Sequence, residues 1–356
     1  MRNSRLAPIL ALAIITAACG GGAPATTSAV PTGTVAAAAT AAPTPPPAPT
    51  PTPAPIKLKV AFGNITVDNL NAWLAKESGI FAKNGLDVEL VSIDGGSRTM
   101  AALLANEVQI AQLGGAECMS AKVGGADLTV AGVLAPVFPY LFMVAKSVKT
   151  GADLKGKQVG VSSIGGSADI ATRKVLRELG LDPEKDVTIV SLGSHAQRTA
   201  ALIAGAIQAG VDDPPDTVKL EELGFHSLFD LAGKKLATAN TVIVAQNGWL
   251  AQNKVAMQRY VDSTVEALAF ARKNKAVTVA AMKKYFGSEA DRGFDQAYDF
   301  FLNEVFPAIP YPRPEMFAEG QAELGKRNTK VLALDVKTIL DDSYMKSAAD
   351  RGVDKR

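Results

Sequence analysis

The sequence is poor in the residues from which most catalytic sites are built. Its 356 residues include two histidines and two cysteines. One cysteine, Cys19, stands at the end of the N-terminal leader, so Cys118 has no partner for an intramolecular disulfide. Cys118 reads as a small buried hydrophobe. His195 and His226 fall in different elements, and His226 reads as structural. There is no HExxH, no GxSxG, no phosphate-binding P-loop and no cysteine pair at metal-ligand spacing. The sequence therefore calls for no cofactor, no metal and no catalytic residues, and the chain reads as a non-enzyme. An excess of one charge is also missing. Lysine and arginine total 37 against 35 aspartates and glutamates, a formal net charge of +2 with no basic block. That gives no case for nucleic acid. After the leader no apolar run is long enough to cross a bilayer.

What the chain does have is a repeated frame. DVELVSIDGGSRTMAALLANEVQIA begins at Asp87, and DVTIVSLGSHAQRTAALIAGAIQAG begins 99 residues later at Asp186. Nine of the 25 positions are identical, without a gap. The flanks agree best. The loops DGGSRT and GSHAQR agree worst.

The ends set the context. Arg2 and Arg5 precede the short apolar run LAPILALAIITAA, the layout of a signal peptide over residues 1–18. TAAC resembles a bacterial lipobox and makes Cys19 the expected lipidation site. Thr16 stands where such motifs carry Leu, Val or Ile, so ordinary cleavage and release is the alternative. Residues 19–55 are almost entirely Gly, Ala, Thr and Pro, a composition that cannot bury a core and makes an extended tether. Residues 56–356 are left to fold, a length suited to about two domains.

Strands and helices alternate through this part. KLKVAFG is a strand, VDNLNAWLAKESGIFAKNG a helix stopped at Gly85, LDVELVSI a strand, SRTMAALLANE a helix and VQIAQLGG a strand. GGADLTVAGVL and YLFMVAKS continue the strands. The pattern restarts at KQVGVSSIGGSADIATRKVLRELG, passes PPDTVKLEELG as a helix and TVIVAQNGWL (241–250) as a strand, and then becomes helical. This is the signature of two parallel α/β lobes. The expected division is 56–143 plus 241–356 for lobe 1 and 144–240 for lobe 2, with strands at 141–147 and 241–248 crossing as a two-strand hinge. The cleft between lobes then lies where strand C-terminal ends and helix N-termini meet.

The varied loops fall at those helix starts. In DGGSRT and SSIGGSAD, glycine lets backbone approach a ligand, and serine caps a helix or bonds outward. The N–H groups of a first helical turn favour an anionic or strongly accepting group. GSHAQR offers the side chains of His195, Gln197 and Arg198 instead. His195 reads as a hydrogen-bond donor in the cleft or as a solvent-facing loop residue. Asp213 is placed to accept a ligand N–H or to pair with Arg198. Phe138 and Tyr140 offer an aromatic wall or ordinary core packing.

Four stretches carry a family resemblance: AKESGIFAKNGLDVELV, GGSRTMAALLANEVQIAQLGG, GGADLTVAGVL and ADLKGKQVGVSSIGGSADIATRKVLRELGLDPEKDV. In this order they resemble the ABC-transporter substrate-binding proteins of the nitrate/sulfonate/taurine class, related to the NMT1/THI5-like pyrimidine-precursor proteins. The resemblance covers nearly all of 57–250. It implies a type II periplasmic-binding-protein fold whose two doubly wound lobes close on a small solute and deliver it to a permease. The partners implied are the solute and the permease and ATPase subunits, for a monomeric protein outside the cytoplasm that meets the membrane through its lipid alone. Carried over by position, the candidate contacts are Asn64, Gly96, Ser97, Arg98, Gly115, Ala116, Ser163, Gly166, Ser167 and Asp213; Tyr140, His195 and Arg198 join them from the loop chemistry. Gln109 and Gln208 stand where the family usually carries aspartate, and the cysteine cluster of the pyrimidine-synthesising enzymes is absent. The expected solute is a small anionic, zwitterionic or heterocyclic molecule. The alternatives are an enzyme on the same fold and a sensory binding lipoprotein.

Overall fold

The structure is a computed structural model that describes Ala29, residues 54–288 and residues 292–356. The leader, Cys19 and nearly all of the tether lie outside the described residues. Both sheets described below belong to one compact unit, Thr52–Arg356.

The first sheet contains β1 (Ile56–Phe62), β2 (Leu86–Ser92), β3 (Ile110–Leu113), β4 (Leu128–Val137) and β10 (Ala237–Gln246), in the order β2-β1-β3-β10-β4. The second contains β5 (Leu141–Val144), β6 (Gln158–Val161), β7 (Thr188–Ser191), β8 (Ala209–Asp212) and β9 (His226–Asp230), in the order β7-β6-β8-β5-β9. The two orders are the same pattern. In each sheet three parallel strands are followed by one antiparallel strand, β10 or β5, that arrives from the other half of the chain. Hence β5 pairs within the second sheet and β10 within the first. The chain therefore crosses between lobes over Phe138–Pro139–Tyr140 and over the segment between Asp230 and Ala237, not along the strands expected at 141–147 and 241–248. Residues 141–143 pair with the second sheet, and 237–240 lie in a strand of the first.

The repeat predicted from Asp87 and Asp186 is present at atomic register. Ala61 pairs with Val91 and Ala111 in the first sheet; Gly160 pairs with Val190 and Gly210 in the second, each partner displaced by 99. Even Gln109 and Gln208 do the same work. Their side-chain carbonyls accept the backbone N–H groups of Lys59 (2.7 Å) and Gln158 (3.2 Å) beside the starts of the central strands.

Helices cover the sheets. In lobe 1 these are α1 (Leu70–Glu77), α2 (Ile80–Lys83), α3 (Gly96–Leu104) and α4 (Gly115–Val123). In lobe 2 they are α5 (Ser167–Glu178), α6 (His195–Ile203) and α7 (Asp216–Glu222). α8 (Asn247–Lys273), α9 (Lys275–Phe286) and α10 (Arg292–Phe300) return to lobe 1, and α11 (Ala318–Gly325) follows. Leu70, Trp73 and Leu74 of α1 are fully buried, each contributing about 1.5–3 kcal/mol through apolar area removed from water. Trp73 stacks on Tyr285 at 4.9 Å and meets the edge of Phe62 at 5.8 Å.

Three local readings change. The helix expected up to Gly85 breaks at Ser78–Gly79, because Gly79 takes φ +73°, a conformation that cannot continue a right-handed helix. The strand expected over 241–250 ends at Gln246, and Asn247 begins α8. AECMSAKV, between two strands, forms α4.

Candidate functional site

Asp68, in the short turn before α1, anchors the floor of the cleft. It accepts bonds from Thr66, from Asn240 Nδ2 at 3.0 Å and from Thr241. Asn69 Nδ2 donates to the Asn64 carbonyl at 3.0 Å, and Gln112 at the end of β3 donates to the Tyr260 hydroxyl at 2.7 Å. These bonds lock the amides and leave their oxygens facing the other way.

The lobes meet across this floor. Asn64 Oδ1 accepts the His195 backbone N–H at 3.0 Å, and Ser167 Oγ donates to the Asn240 carbonyl at 2.9 Å. The turns that open α3 and α6 are close enough for a Cβ on Gly95 to fall 2.9 Å from the Gly193 carbonyl. Gly95 (φ +88°) and Gly193 (φ +91°) both lie in the region that favours glycine. Between the lobes lies a cavity with about 60 Å³ of water-accessible space.

On the lobe 2 side, Arg198 is fully buried. It donates to Ser162 Oγ (2.8 Å) and to Asp212 Oδ1 (3.0 Å) and lies 3.0 Å from His195 Nδ1. His195 Nε2 is 2.9 Å from Asp212 Oδ1 and 3.0 Å from Asp216 Oδ2. Burial and Arg198 press against a charge on the ring, yet Asp212 and Asp213 outweigh them and hold its pKa up at about 10. Burial pushes Asp213 well above the carboxylate range against the pull of His195, whereas Arg198 and His195 overcome burial and keep Asp212 low. The two cations of this jaw are thus bracketed by aspartates of their own lobe.

On the lobe 1 side, Glu117 opens α4 and turns its carboxylate into a cradle of three glycines. A Cβ on Gly96, Gly114 or Gly166 would collide with it. Burial, with Asp169 adding to it and a backbone N–H opposing it, raises its pKa to about 7.

The cavity is lined by Asn64, Gly96, Tyr140, Ser163, Gly166, Ser167, His195 and Arg198 among the residues singled out in the sequence. Ser97 and Arg98 are exposed on the outer side of α3 and do not line it, because Gly95 and Gly96 bring backbone to the cleft and turn the next two side chains outward. Gly115 and Ala116 border a separate, smaller cavity with Phe317. Asp213 lies behind His195, and Arg198 pairs with Asp212 in its place. Tyr140 is buried in the lining and is raised well above the phenol range by burial and by Asp68 and Asp213. Sequence reasoning missed Asp68, Gln112, Glu117 and Asn240. The offset of 99, extended past Ala111, sets Glu117 against Asp216 in PPDTVKLEELG and was the available signal for α4. Among the described residues no group of three or more His, Cys, Asp or Glu is arranged to hold a metal ion. Cys118 is fully buried.

Two sheets of one topology, joined by two crossings with a polar cavity at their strand ends, define the type II periplasmic-binding-protein fold. The family model described as NMT1/THI5 like matches residues 68–276, more than half of the chain, and the chain belongs to that family. "Putative binding protein YtlA" of Bacillus subtilis (strain 168) is 24% identical over 220 residues, covering 60% of this chain and 66% of that protein, just under two thirds of its length. Solved structures show the same fold. The periplasmic aliphatic sulphonate binding protein SsuA from Escherichia coli matches with TM-score 0.63 and 23% identity over 80% of this chain and 92% of that one. The periplasmic nitrate-binding protein NrtA from Synechocystis PCC 6803 matches with TM-score 0.66 and 17% identity over 83% and 89%. The desulfurization enzyme DSZB also matches, with TM-score 0.58 and 17% identity over 83% and 99%, so the fold hosts binders and an enzyme alike.

Proposed function

We propose that the chain is an extracytoplasmic solute-binding lipoprotein of an ABC importer, anchored through Cys19 and held off the membrane by residues 19–55. The observation that carries this reading is a buried polar cavity contributed by both lobes, whose walls touch through the Asn64–His195 and Ser167–Asn240 bonds. Opening at the two crossings breaks those bonds and admits solvent. A solute that touches both walls favours closure by its differential contacts. The closed face then docks on the permease and its ATPase, with the protein acting as a monomer. The solute class is a small zwitterionic, anionic or heterocyclic molecule. Titration calorimetry against sulfonates, nitrate, aromatic acids and pyrimidines, with small-angle scattering to follow compaction, tests it. Heat and compaction with one of these solutes are expected; neither with any of them sinks the reading.

The DSZB likeness favours a second reading, an enzyme on the same scaffold. His195→Ala separates the two. It abolishes turnover in an enzyme and at most weakens affinity in a binder.

A further inference from the structure

The repeat carries a difference that bears on the solute. Displaced by 99, Glu117 of lobe 1 corresponds to Asp216 of lobe 2, and Gly96 corresponds to His195. Both acids open the helix after the third strand of their sheet. Both positions 96 and 195 open the facing helix. In lobe 2 the acid meets a side chain of its own lobe, with His195 Nε2 3.0 Å from Asp216 Oδ2. In lobe 1 the facing residue is a glycine that has no side chain to offer, and Glu117 reaches into its space.

The surroundings of Glu117 agree. Among the described residues, nothing partners Glu117 Oε2, Asn69 Oδ1, Gln112 Oε1 or Asn240 Oδ1. All four side chains are more than nine-tenths buried, all line the one cavity, and all belong to the first sheet or its helices and turns. All four atoms are acceptors once Glu117 is ionised, above about pH 7. Asn69 and Asn240 have their amide orientation fixed, because their nitrogens donate to a carbonyl and to a carboxylate. A buried acceptor without a donor costs about 1–3 kcal/mol, so four around one small space form a surface made for donors. Among the described residues of the lining, the unpartnered buried nitrogen is Arg198 Nε, on the opposite, lobe 2 wall, where Asp212 and Asp216 already hold His195 Nε2.

We infer that lobe 1 reads an N–H donor edge of the solute, an ammonium, amidine or ring-amino group, and that this group takes at Glu117 the place His195 holds at Asp216 in lobe 2. The inference rests on the solute-binding reading above and narrows it. A bare anion such as nitrate or a simple sulfonate lacks the required edge. The acceptor edge of the same solute faces Arg198 Nε.

Matched pairs test this on the purified chain by calorimetry at pH 8, above the pKa of about 7 at Glu117. The pairs are β-alanine with propionate, 2-aminoethanesulfonate with ethanesulfonate, and 4-aminopyrimidine with pyrimidine. In at least one pair the amino member is expected to bind about tenfold or more tightly than its partner. Glu117→Gln, which keeps shape and removes charge, is expected to erase that preference while circular dichroism stays unchanged. Gly96→Ala, which pushes the carboxylate aside, should erase it as well. Equal binding within every pair, or a preference that survives both substitutions, overturns the assignment. If only the des-amino members bind and compact the protein, the assignment fails and the solute-binding reading stands. If no member of any pair binds, the assignment fails, and the solute-binding reading is decided by the wider panel of sulfonates, nitrate, aromatic acids and pyrimidines.

Discussion

The two frames of this protein share strand order, register and helix length, but they fill their interiors with different chemistry. At four positions displaced by 99, lobe 1 carries Ala61, Thr99, Ala111 and Leu113, and lobe 2 carries Gly160, Arg198, Gly210 and Asp212. These changes form a set. Gly160 and Gly210 are neighbours across β6 and β8, and the stem of Arg198 lies over both. A Cβ on Gly210 would fall 3.1 Å from Arg198 Cδ; one on Gly160 would meet Ile207 Cδ1 at 2.5 Å and Leu192 Cδ1 at 2.9 Å before Arg198 Cγ at 3.2 Å. Threonine needs no such room, so the equivalent strands keep alanine. Asp212 then neutralises the guanidinium, where Leu113 joins the hydrophobic core beside the cavity. At these positions one backbone frame thus supports a buried ion pair in one lobe and uncharged side chains in the other, provided that volume and charge change together.

That coupling is open to direct test. The largest effect is expected from Arg198→Thr, which gives lobe 2 the lobe 1 residue and leaves buried Asp212 with His195 and Thr199 but without its guanidinium. It should destabilise the protein by about 3–5 kcal/mol in urea unfolding. Adding Asp212→Leu should recover part of the loss, with a coupling energy above about 1 kcal/mol. Strict additivity would show that the two positions are not a unit.

Next in size is a pH effect at Glu117, the acid without a facing histidine. Its folded pKa of about 7 stands above the ordinary 4.5, so the folded form holds this proton more tightly than the unfolded chain. The contribution is therefore full at low pH and is lost as pH rises from 4.5 through about 7, by up to about 3 kcal/mol. The difference in unfolding free energy between wild type and Glu117→Gln should follow that slope between pH 4 and 9. A flat difference curve would mean that burial does not disfavour the charge.

Gly210→Ala should cost about 1–3 kcal/mol by crowding the Arg198 stem. In the Arg198→Thr background the same change should be close to neutral, because its obstacle is gone. The smallest effect belongs to lobe 1. Thr99 bonds the Ile93 and Gly95 carbonyls at 3.0 and 3.1 Å, and Thr99→Val should cost about 1 kcal/mol in the same unfolding assay. A loss as large as that of Arg198→Thr would erase the contrast between the lobes.

Much of this frame was legible beforehand. The alternation of strand and helix, the repeat and the loops at helix starts all follow from local periodicity and glycine placement. Of the loop residues, Gly96, Ser163, Gly166, Ser167, His195 and Arg198 do come together around the cavity. Arg98 does not, because one helical residue beyond a glycine turn decides whether a side chain faces the cleft or the solvent. α4 was passed over because AECMSAKV is short and lacks a cap signal after its glycines, and Glu117 went with it. Asp68 and Asn240 carried no local sign. They matter because they meet across 172 positions of chain.

The sequence by itself determined that two copies of one α/β frame exist, with a glycine or polar turn at each helix start, since spacing and backbone conformation are local properties. Only the tertiary structure decided which acid is neutralised within the protein and which is left with an unpartnered oxygen at the cavity. That depends on pairs brought together from distant parts of the chain, such as His195 with Asn64 across 131 positions. It also depends on the loss of water around them, which turns an ordinary glutamate into a group that seeks a proton or a donor.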